Sequence, residues 1–398
     1  MGDAAAFLDA YWTRQPHRLA LPDPNGFADL LTLGAVDHLL TTTSPRTPSF
    51  RLVEDGKPLA PGSYTRSGRV GGRPYSGAAD VSRVLSAFAD GATVVLQSLH
   101  RSWAPLGRFC RQLELTLTHP VQANAYLTPA GATALAPHHD THDVFVLQVH
   151  GHKHWRISEP VMEAPLARHR SSRAAAAAQP VLFEADLAPG DCLYLPRGFV
   201  HAATAQQGVS LHITIGVHAV TAHDVLSAVV AQAADHPAFR APLPAGFALG
   251  SGAGGDKALV AAVEACVSEA LTWLPDVDTA SVAEGLRRRF WAQRLPLLEG
   301  QLLQLAELDR IDDDAVVRRR PLSICEPGEQ VTGDDRLRLV LGDRELLLPR
   351  AVEPALRRLL DGTPRPVSAL DDVLDGPSRS VLVRRLVREG VIEVVGVG

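Results

Sequence analysis

The stretch PHHDTHDVFVLQVHGHKHWRI, residues 137–157, decides the fold of this chain. Its middle part, VFVLQV, is apolar on both faces of a strand, which indicates a strand covered on both sides. Gly151 then provides a turn, and HKHWRI continues as a second strand. The stretch therefore predicts a β-hairpin inside a barrel or sandwich.

A metal site is predicted around the start of this stretch. His138 and Asp140 are two positions apart, so on a strand both side chains lie on one face and can bind one cation. A third candidate ligand is His201, which follows the turn PRG in GDCLYLPRGFVHAAT, residues 190–204. Two histidines and one carboxylate leave positions open on the metal, as iron(II) needs to bind a co-substrate and dioxygen. An HxD pair also occurs by chance, and other histidines lie nearby: His139, His142, His150, His152 and His154.

Lys153 is one of three lysines in a chain whose other basic residues are arginines. It has the same parity as Trp155 and Ile157, so we expect it to point into the barrel. A buried ammonium group is costly without an anion, and its position therefore predicts a carboxylate ligand beside the metal. The alternative is an outward lysine, or one that pairs with a structural acid.

Two further strands carry polar side chains on one face. VQANAYLTP, residues 121–129, places Asn124, Tyr126 and Thr128 together, which indicates either a pocket wall or an edge strand in water. SLHITIG, residues 210–216, aligns Ser210, His212, Thr214 and Gly216. We expect His212 to be a hydrogen-bonded core histidine.

Composition narrows the class of protein. The 398 residues are 46% hydrophobic, have a net charge of -5, and contain four widely separated cysteines. These features predict a globular protein without a disulfide framework or a general electrostatic attraction to nucleic acid. No secretory leader or long uncharged apolar run is found, so we expect a cytoplasmic protein without a membrane segment.

The periodicity predicts an α+β chain of three domains. Helices at 27–40 and 81–91, strands between 93 and 216, and an exposed loop at 171–180 form a domain over 1–220. Helices at 223–239, 256–274 and 281–305, with a Gly-rich linker at 249–255, form a helical domain over 221–310. Residues 311–398 contain three short helices, at 352–362, 366–376 and 378–390, and a strand at 391–397, which predicts a winged-helix domain.

The chain resembles the JmjC-type, cupin-like ribosomal oxygenases, which include bacterial ribosomal-protein arginine hydroxylases and nucleolar histidine hydroxylases. The resemblance is carried by NAYLTP, the PHxD and VFxLQxxGxKxW patterns, PRGxxH, SLHITIG and the N-terminal FLDAYWTRQP. It implies a double-stranded β-helix (jelly roll) followed by a helical dimerisation domain and a C-terminal winged helix. It covers nearly the whole chain.

The resemblance also implies residue roles. His138, Asp140 and His201 would bind Fe(II), and Lys153 would bind the distal carboxylate of 2-oxoglutarate. Asn124 would lie in the co-substrate pocket and Tyr126 would face the target side chain. The implied reaction is oxidative decarboxylation of 2-oxoglutarate to succinate coupled to hydroxylation of a C–H bond. His139 and Gly216 depart from the relatives, which leaves the target side chain open.

From these observations we expect a dioxygenase that hydroxylates an arginine or histidine of a ribosomal protein, or of another peptide. A homodimer is expected because the helical domain has more apolar residues than one short bundle buries. Direct nucleic-acid binding is not expected, since residues 311–398 carry 14 basic and 16 acidic side chains. Three alternatives remain open: hydroxylation of a small molecule or peptide natural product, histone-type demethylation, and a non-oxidative cupin or metal-bound regulator.

Overall fold

The computed structural model describes residues 4–20, 25–132, 135–247, 255–328 and 335–396. The chain divides into two compact units, Met1–Ala219 and Val220–Gly398. The first unit ends one residue before the predicted 1–220 domain, whereas the predicted boundary at 310 stays a prediction. The Gly-rich linker predicted at 249–255 lies outside the described residues, except for Gly255.

The first unit is built on two antiparallel sheets. Its strands are β1 (His17–Ala20), β2 (Phe50–Glu54), β3 (Lys57–Pro58), β4 (Thr65–Val70), β5 (Arg73–Ala79), β6 (Thr93–Leu96), β7 (Val121–Thr128), β8 (Asp143–His150), β9 (Lys153–Pro160), β10 (Val181–Leu187), β11 (Asp191–Leu195), β12 (Phe199–Ala205) and β13 (Ser210–Val217). Among the described residues the larger sheet has the order β1-β11-β8-β13-β7-β6-β2-β3, and the smaller has the order β10-β9-β12. Strands β4 and β5 form a separate hairpin.

Helices cover the outer face of the larger sheet. They are α1 (Ala4–Ala10), α2 (Leu33–Thr41), α3 (Val81–Ala89) and α4 (Ala104–Leu117), and a short α5 (Arg173–Ala177) lies between β9 and β10. Helix α2 begins later than predicted, because the Thr32 side chain accepts a hydrogen bond from the backbone N–H of Ala35 and caps it. Helix α3 is capped in the same way by Asp80.

The predicted hairpin of residues 137–157 consists of β8 and β9. Alternate residues of β8 pack on opposite sides: Val144 and Val146 join Trp155 and Ile157 in the core between the sheets, and Phe145 joins the core under the helices. The apolar character of both strand faces is thus explained, because the larger sheet is covered on both sides.

The loop predicted for 171–180 is mostly exposed, but it contains a short helix that was not predicted. Residues Arg173–Ala177 form helix α5, and Ala176 is only 2% exposed. Alanine has the highest helix propensity, and the Ser172 side chain caps the first turn by accepting from the N–H of Ala175. The alanine run within the predicted loop is therefore a short helix.

The second unit combines helices with small sheets. Its helices are α6 (Ala222–Gln232), α7 (Gly255–Trp273), α8 (Thr279–Ala292), α9 (Gln301–Ala306), α10 (Glu353–Leu360) and α11 (Gly376–Arg388). Its strands are β14 (Val316–Arg319), β15 (Glu326–Pro327), β16 (Arg336–Val340), β17 (Glu345–Pro349), β18 (Arg365–Pro366) and β19 (Ile392–Gly396). One sheet has the order β18-β14-β19 and the other β15-β16-β17.

Two helices predicted in this unit are wrong in extent or type. The segment predicted as one helix at 281–305 is split into α8 and α9, because Pro296 lies between them and cannot donate to a helical hydrogen bond. The helix predicted at 366–376 is a single 3-10 turn, Val367–Leu370. Apolar residues in these segments have the spacing of a helix, but proline and paired aspartates limit the length of the helices.

Helix α7 overlaps a segment, Lys257–Asp276, that is long and apolar enough by length and composition to cross a membrane, and none of it is buried. This differs from the sequence expectation, in which no such run was found. Large apolar side chains are exposed on one face of it at a spacing of three and four residues: Val260, Val263, Val267, Leu271 and Leu274.

Candidate metal and co-substrate site

The three predicted ligands lie together at one end of the first unit's sandwich. One ligand atom from each of His138, Asp140 and His201 lies within 4.8 Å of the others, and such a group can hold a metal ion. The backbones of His138 and His201 are also paired: His138 N–H donates to the carbonyl of His201 at 3.2 Å, and His201 N–H donates back at 2.9 Å. The spacing of two ligands is therefore held by the backbone.

Hydrogen bonds of the imidazole rings direct their other nitrogens toward the centre of the group. Nδ1 of His138 lies 2.8 Å from the carbonyl oxygen of Ala136, and Nδ1 of His201 lies 3.1 Å from that of Phe199. Nε2 of each ring is then available as a ligand atom, and that of His201 is 3.7 Å from a carboxylate oxygen of Asp140. Fixing one ring nitrogen in this way is the usual support of a metal-bound histidine.

The ionisation of these groups suits a cation. Burial opposes ionisation of Asp140, but the imidazoles of His201, His142 and His138 together hold the pKa of its carboxyl below the usual range. Burial, together with His138, lowers the pKa of His201 to about 4. At neutral pH the site therefore offers the neutral imidazole of His201 and the carboxylate of Asp140, which are the forms that bind metal.

The turn that delivers His201 is held by a buried ion pair. Asp143 is fully buried and accepts from the hydroxyl of Tyr194 at 3.0 Å and from the guanidinium of Arg197 at 3.3 Å. The next residue, Gly198, has a φ of +95° and its N–H donates to the carbonyl of Asp140 at 3.0 Å. The PRG turn before His201 is thus hydrogen-bonded to the backbone of Asp140.

A cavity of about 260 Å³ adjoins the ligand group. The residues that line it are Arg51, Asn124, Tyr126, Leu135, His138, Asp140, His142, Val144, Val146, Lys153, Trp155, His201, Ala202, Ala203, His212 and Thr214. All six residues predicted for the site are among them. The structure therefore brings together residues from five separate segments of the sequence.

Lys153 is 1% exposed, which confirms its predicted inward direction. Its Nζ donates to the hydroxyl of Thr128 at 2.9 Å and lies 3.5 Å from Nδ1 of His212. Burial lowers the pKa of Lys153 to about 7 and, together with Lys153, lowers that of His212 well below its usual value. In the described part of the chain, no carboxylate is paired with this ammonium group.

Asn124, Tyr126 and His212 lie on neighbouring strands of the larger sheet. The side-chain oxygen of Asn124 accepts from the N–H of Ser98 at 3.0 Å, which leaves its amide nitrogen available to the cavity. The Tyr126 ring stacks on His212 with 4.9 Å between centroids. His212, expected to be a core histidine, is buried but also forms part of the cavity wall.

Besides His212, three polar cavity residues were not predicted for the site from the sequence. Thr214 follows His212 at strand spacing, and His142 had been set aside as one of several neighbouring histidines. His142 also explains the departure at Gly216, because a Cβ there would lie 2.6 Å from its Cδ2 atom. No sequence pattern indicates that Arg51 lines the cavity, since it is one of many arginines and lies on β2, which is distant in sequence from the other cavity residues.

Comparison with known proteins agrees with this geometry. Residues 99–225, which include the three candidate ligands, match the family model of the JmjC domain. The match covers the segment that holds the candidate ligands, hereafter the JmjC segment, and less than half of the chain. The mixed sheet and helix content of the first unit agrees with the predicted cupin-like fold, and the resemblance to ribosomal oxygenases seen in the sequence is confirmed by the relatives of the JmjC segment.

The chain is also similar to curated relatives. The bifunctional lysine-specific demethylase and histidyl-hydroxylase NO66 of Drosophila persimilis is 31% identical over 223 residues, which cover 54% of this chain and 30% of the relative. Ribosomal oxygenase 2 of Bos taurus is 40% identical over 129 residues, 32% of this chain and 28% of the relative. The match thus spans about a third or less of the length of these relatives.

A solved structure shares the fold beyond the JmjC domain. The Escherichia coli ribosomal oxygenase YcfD superposes with a TM-score of 0.52, covering 99% of this chain and 98% of the YcfD chain, at 16% identity. A second structure of the E. coli protein gives a TM-score of 0.54. At this identity the similarity concerns the fold.

Proposed function

We propose that this protein is an Fe(II)- and 2-oxoglutarate-dependent dioxygenase that hydroxylates a protein side chain. In this proposal His138, Asp140 and His201 hold the iron, and Lys153 binds the distal carboxylate of 2-oxoglutarate. The observation that carries it is the buried Lys153, which has no carboxylate partner in the described residues and lines the same cavity as the ligand group. A buried ammonium group in that position calls for an anionic ligand.

The donor set fits iron(II), because two imidazoles and one carboxylate leave room for a chelating co-substrate. Iron(II) and 2-oxoglutarate would supply oxidative decarboxylation to succinate and carbon dioxide, coupled to hydroxylation of a C–H bond. The chain itself binds, orients and shields the reactants. Lys153, which the Thr128 hydroxyl positions, would hold the far end of the co-substrate. Asn124 would offer its amide group, and Trp155 would keep water from the inner wall.

The substrate we propose is a side chain of a ribosomal protein, arginine or histidine. Support comes from the relatives, which are called a histidyl-hydroxylase and ribosomal oxygenases. The name of the first relative also includes lysine demethylation, which uses the same iron chemistry. Tyr126 lies on the cavity wall and is proposed to contact the target side chain.

The deciding experiment uses the purified protein with iron(II), 2-oxoglutarate and ribosomes of its own host. A mass increase of about 16 Da on one ribosomal protein, absent with the His201→Ala variant, is expected because one oxygen atom is added. Absence of the shift from every ribosomal protein, with 2-oxoglutarate still consumed, would favour a small molecule or peptide natural product. Loss of a methyl group from a histone-like peptide would instead indicate demethylation.

A Lys153 variant distinguishes the proposed dioxygenase from a non-oxidative cupin or a metal-bound regulator. If Lys153 anchors the co-substrate, the Lys153→Ala variant should raise the KM for 2-oxoglutarate by at least about tenfold. Turnover of 2-oxoglutarate that is unchanged in this variant would contradict the assigned role. No 2-oxoglutarate turnover by the wild-type protein with iron would favour the non-oxidative alternative.

We further propose that the second unit forms a homodimer and ends in a winged helix. The dimer is supported by the exposed apolar face of α7, since a row of large apolar side chains in water is unfavourable. The winged helix is supported by α10 and α11 packed with the sheet β18-β14-β19. Its charged residues form many ion pairs, as between Arg358 and Asp372, and we propose that it does not bind nucleic acid.

A cytoplasmic location is proposed as well. The four cysteines are all unpaired, and Cys110, Cys192 and Cys325 are buried. Such an arrangement is typical of a reducing compartment. Fractionation of host cells with an antibody to the protein would test the location.

A further inference from the structure

Arg51 is the one cavity residue whose side chain the proposed function does not use and whose charge is permanent. It lies on β2, and the strand register aligns it with Val95 and then with Tyr126 across the larger sheet. Residues aligned in this way point to the same face of a sheet. Arg51 therefore extends from the sheet into the same cavity as Tyr126.

The guanidinium group of Arg51 is incompletely bonded. It donates a hydrogen bond to the side chain of Tyr126, and its Nε is buried without any partner. Among the described residues, no carboxylate forms an ion pair with it. Two other largely buried arginines do have such a partner: Arg379 pairs with Asp313 and Arg197 pairs with Asp143. An incompletely bonded guanidinium in a cavity is suited to donate a hydrogen bond to an oxygen or nitrogen atom of a ligand.

The balance of charge in the cavity bears on the target side chain. The only acidic residue among the lining residues is Asp140, which the proposed function places on the metal. The cationic residues are Arg51 and Lys153, of which Lys153 binds the co-substrate. An arginine side chain from a substrate would enter beside a second guanidinium with no free carboxylate to receive it. Such a buried and unpaired charge is strongly unfavourable.

We infer that Arg51 is the group that selects the target side chain: it binds an uncharged or anionic side chain with a hydrogen-bond acceptor and excludes arginine. Histidine, asparagine and aspartate meet this requirement. The inference rests on the proposed hydroxylase function and narrows its substrate class. Arg51 and Tyr126 together then form the recognition wall.

The test uses synthetic peptide pools that have random flanks and one fixed central residue: histidine, asparagine, aspartate or arginine. The readout is 2-oxoglutarate decarboxylation by the iron-loaded full chain above its peptide-free rate. We expect one of the acceptor pools to stimulate wild-type turnover at least about tenfold more than the arginine pool. The Arg51→Glu variant, which supplies the missing carboxylate, should reverse the order in favour of arginine.

Two further variants test whether Arg51 acts in selecting the target side chain, and not in folding or in co-substrate binding. Arg51→Met should lower stimulation by the preferred pool without raising the KM for 2-oxoglutarate. Arg101→Met, at an exposed position, is the matched control and should behave as wild type. Thermal melting shows that each variant is folded.

Preference of the wild type for the arginine pool, or equal stimulation by all pools, would overturn the inference and leave the hydroxylase proposal intact. A rise in the KM for 2-oxoglutarate in Arg51→Met would overturn it too, since Arg51 would then serve the co-substrate. Absence of all 2-oxoglutarate turnover in the wild type would overturn the proposed function and this inference with it.

Discussion

At the scale of single residues, the pKa of Lys153 leads to a prediction about co-substrate binding. Because burial lowers this pKa to about 7, roughly half of the ammonium group is deprotonated near neutral pH when the cavity is empty. A bound dicarboxylate restores the charged form. Binding of 2-oxoglutarate at pH 8 should therefore take up close to one proton, and the apparent affinity should fall as the pH rises from 7 to 9.

This proton uptake can be measured by isothermal titration calorimetry of the manganese-loaded protein in two buffers that differ in ionisation enthalpy. The control is Lys153→Met, which should bind more weakly and show no proton uptake at this group. Equal heats for the wild-type protein in both buffers would contradict the role of Lys153.

The same residue predicts a pH-dependent stability. The pKa of a lysine in the unfolded chain is 10.5, so between pH 7 and 10.5 the folded state binds fewer protons than the unfolded state and wild-type stability rises with pH. Replacement by Met removes this dependence. Lys153→Met should raise the melting temperature of the metal-free protein. The free energy of unfolding should rise by an amount on the order of a few kcal/mol at pH 6.5, and this gain should shrink toward pH 10. If the variant is destabilised by the same amount at both pH values, burial of the Lys153 ammonium group does not lower the stability of the wild-type protein.

Some residues of the candidate site could be predicted from the sequence and others could not. Lys153 was found because strand parity places it on one face with Trp155, and this parity survives in β9. His138 and Asp140 were found from their two-residue spacing, although His138 forms only an isolated bridge and Asp140 precedes β8. Arg51 could not be found, since its position in the cavity depends on the order of strands β2, β6 and β7. His142 could not be separated from four neighbouring histidines, because which of them lines the cavity depends on where the backbone turns before β8.

At the scale of elements, the turn between β11 and β12 determines where His201 lies. A Cβ on Gly198 would be 2.2 Å from the carbonyl oxygen of Met162, and the φ of +95° is unfavourable for other residues. Gly198→Ala should destabilise the protein by more than about 2 kcal/mol and weaken metal binding, because the turn also bonds to the backbone of Asp140. Thermal melting and cobalt titration measure the two effects.

Gly208 is the matched control for this prediction. It has a similar φ of +84°, but nothing lies within 4 Å of a Cβ built there. Gly208→Ala should cost about 1 kcal/mol from the backbone alone and leave metal affinity unchanged. If both variants bind cobalt as the wild type does, the turn has no part in positioning the ligands.

Elements with strong local signals were predicted best. The hairpin β8–β9 was recognisable because apolar residues on both faces flank a glycine turn. The short strands β14 to β18 were not predicted, because they are two to five residues long and rich in arginine and proline. Their pairing depends on partners that are distant in sequence, such as Val316 with Pro366.

At the scale of the whole molecule, the exposed face of α7 predicts the oligomeric state. Val263 and Val267 are 52% and 54% exposed, and they lie on the same side of the helix. In light scattering after size exclusion, we expect the wild type at twice the chain mass of 42.6 kDa and the double variant Val263→Asp, Val267→Asp at the chain mass.

Val70 is the control, since it is 70% exposed on the separate hairpin β4–β5. Val70→Asp should leave the dimer intact. A wild-type protein that elutes as a monomer at micromolar concentration would remove the dimer proposal, and a double variant that stays dimeric would place the interface elsewhere.

The reciprocal backbone hydrogen bonds between His138 and His201 have a consequence for metal selection. They set the distance between two ligands before any ion arrives, so the site needs little rearrangement to receive one. A preformed site of imidazole and carboxylate accepts several divalent ions, and intrinsic affinity rises from manganese through iron and cobalt to copper. The occupying ion is then chosen by what the cell supplies. Protein purified from a foreign host should accordingly carry a mixture of metals, and its specific activity should depend on the growth medium until the metal is removed and iron is restored.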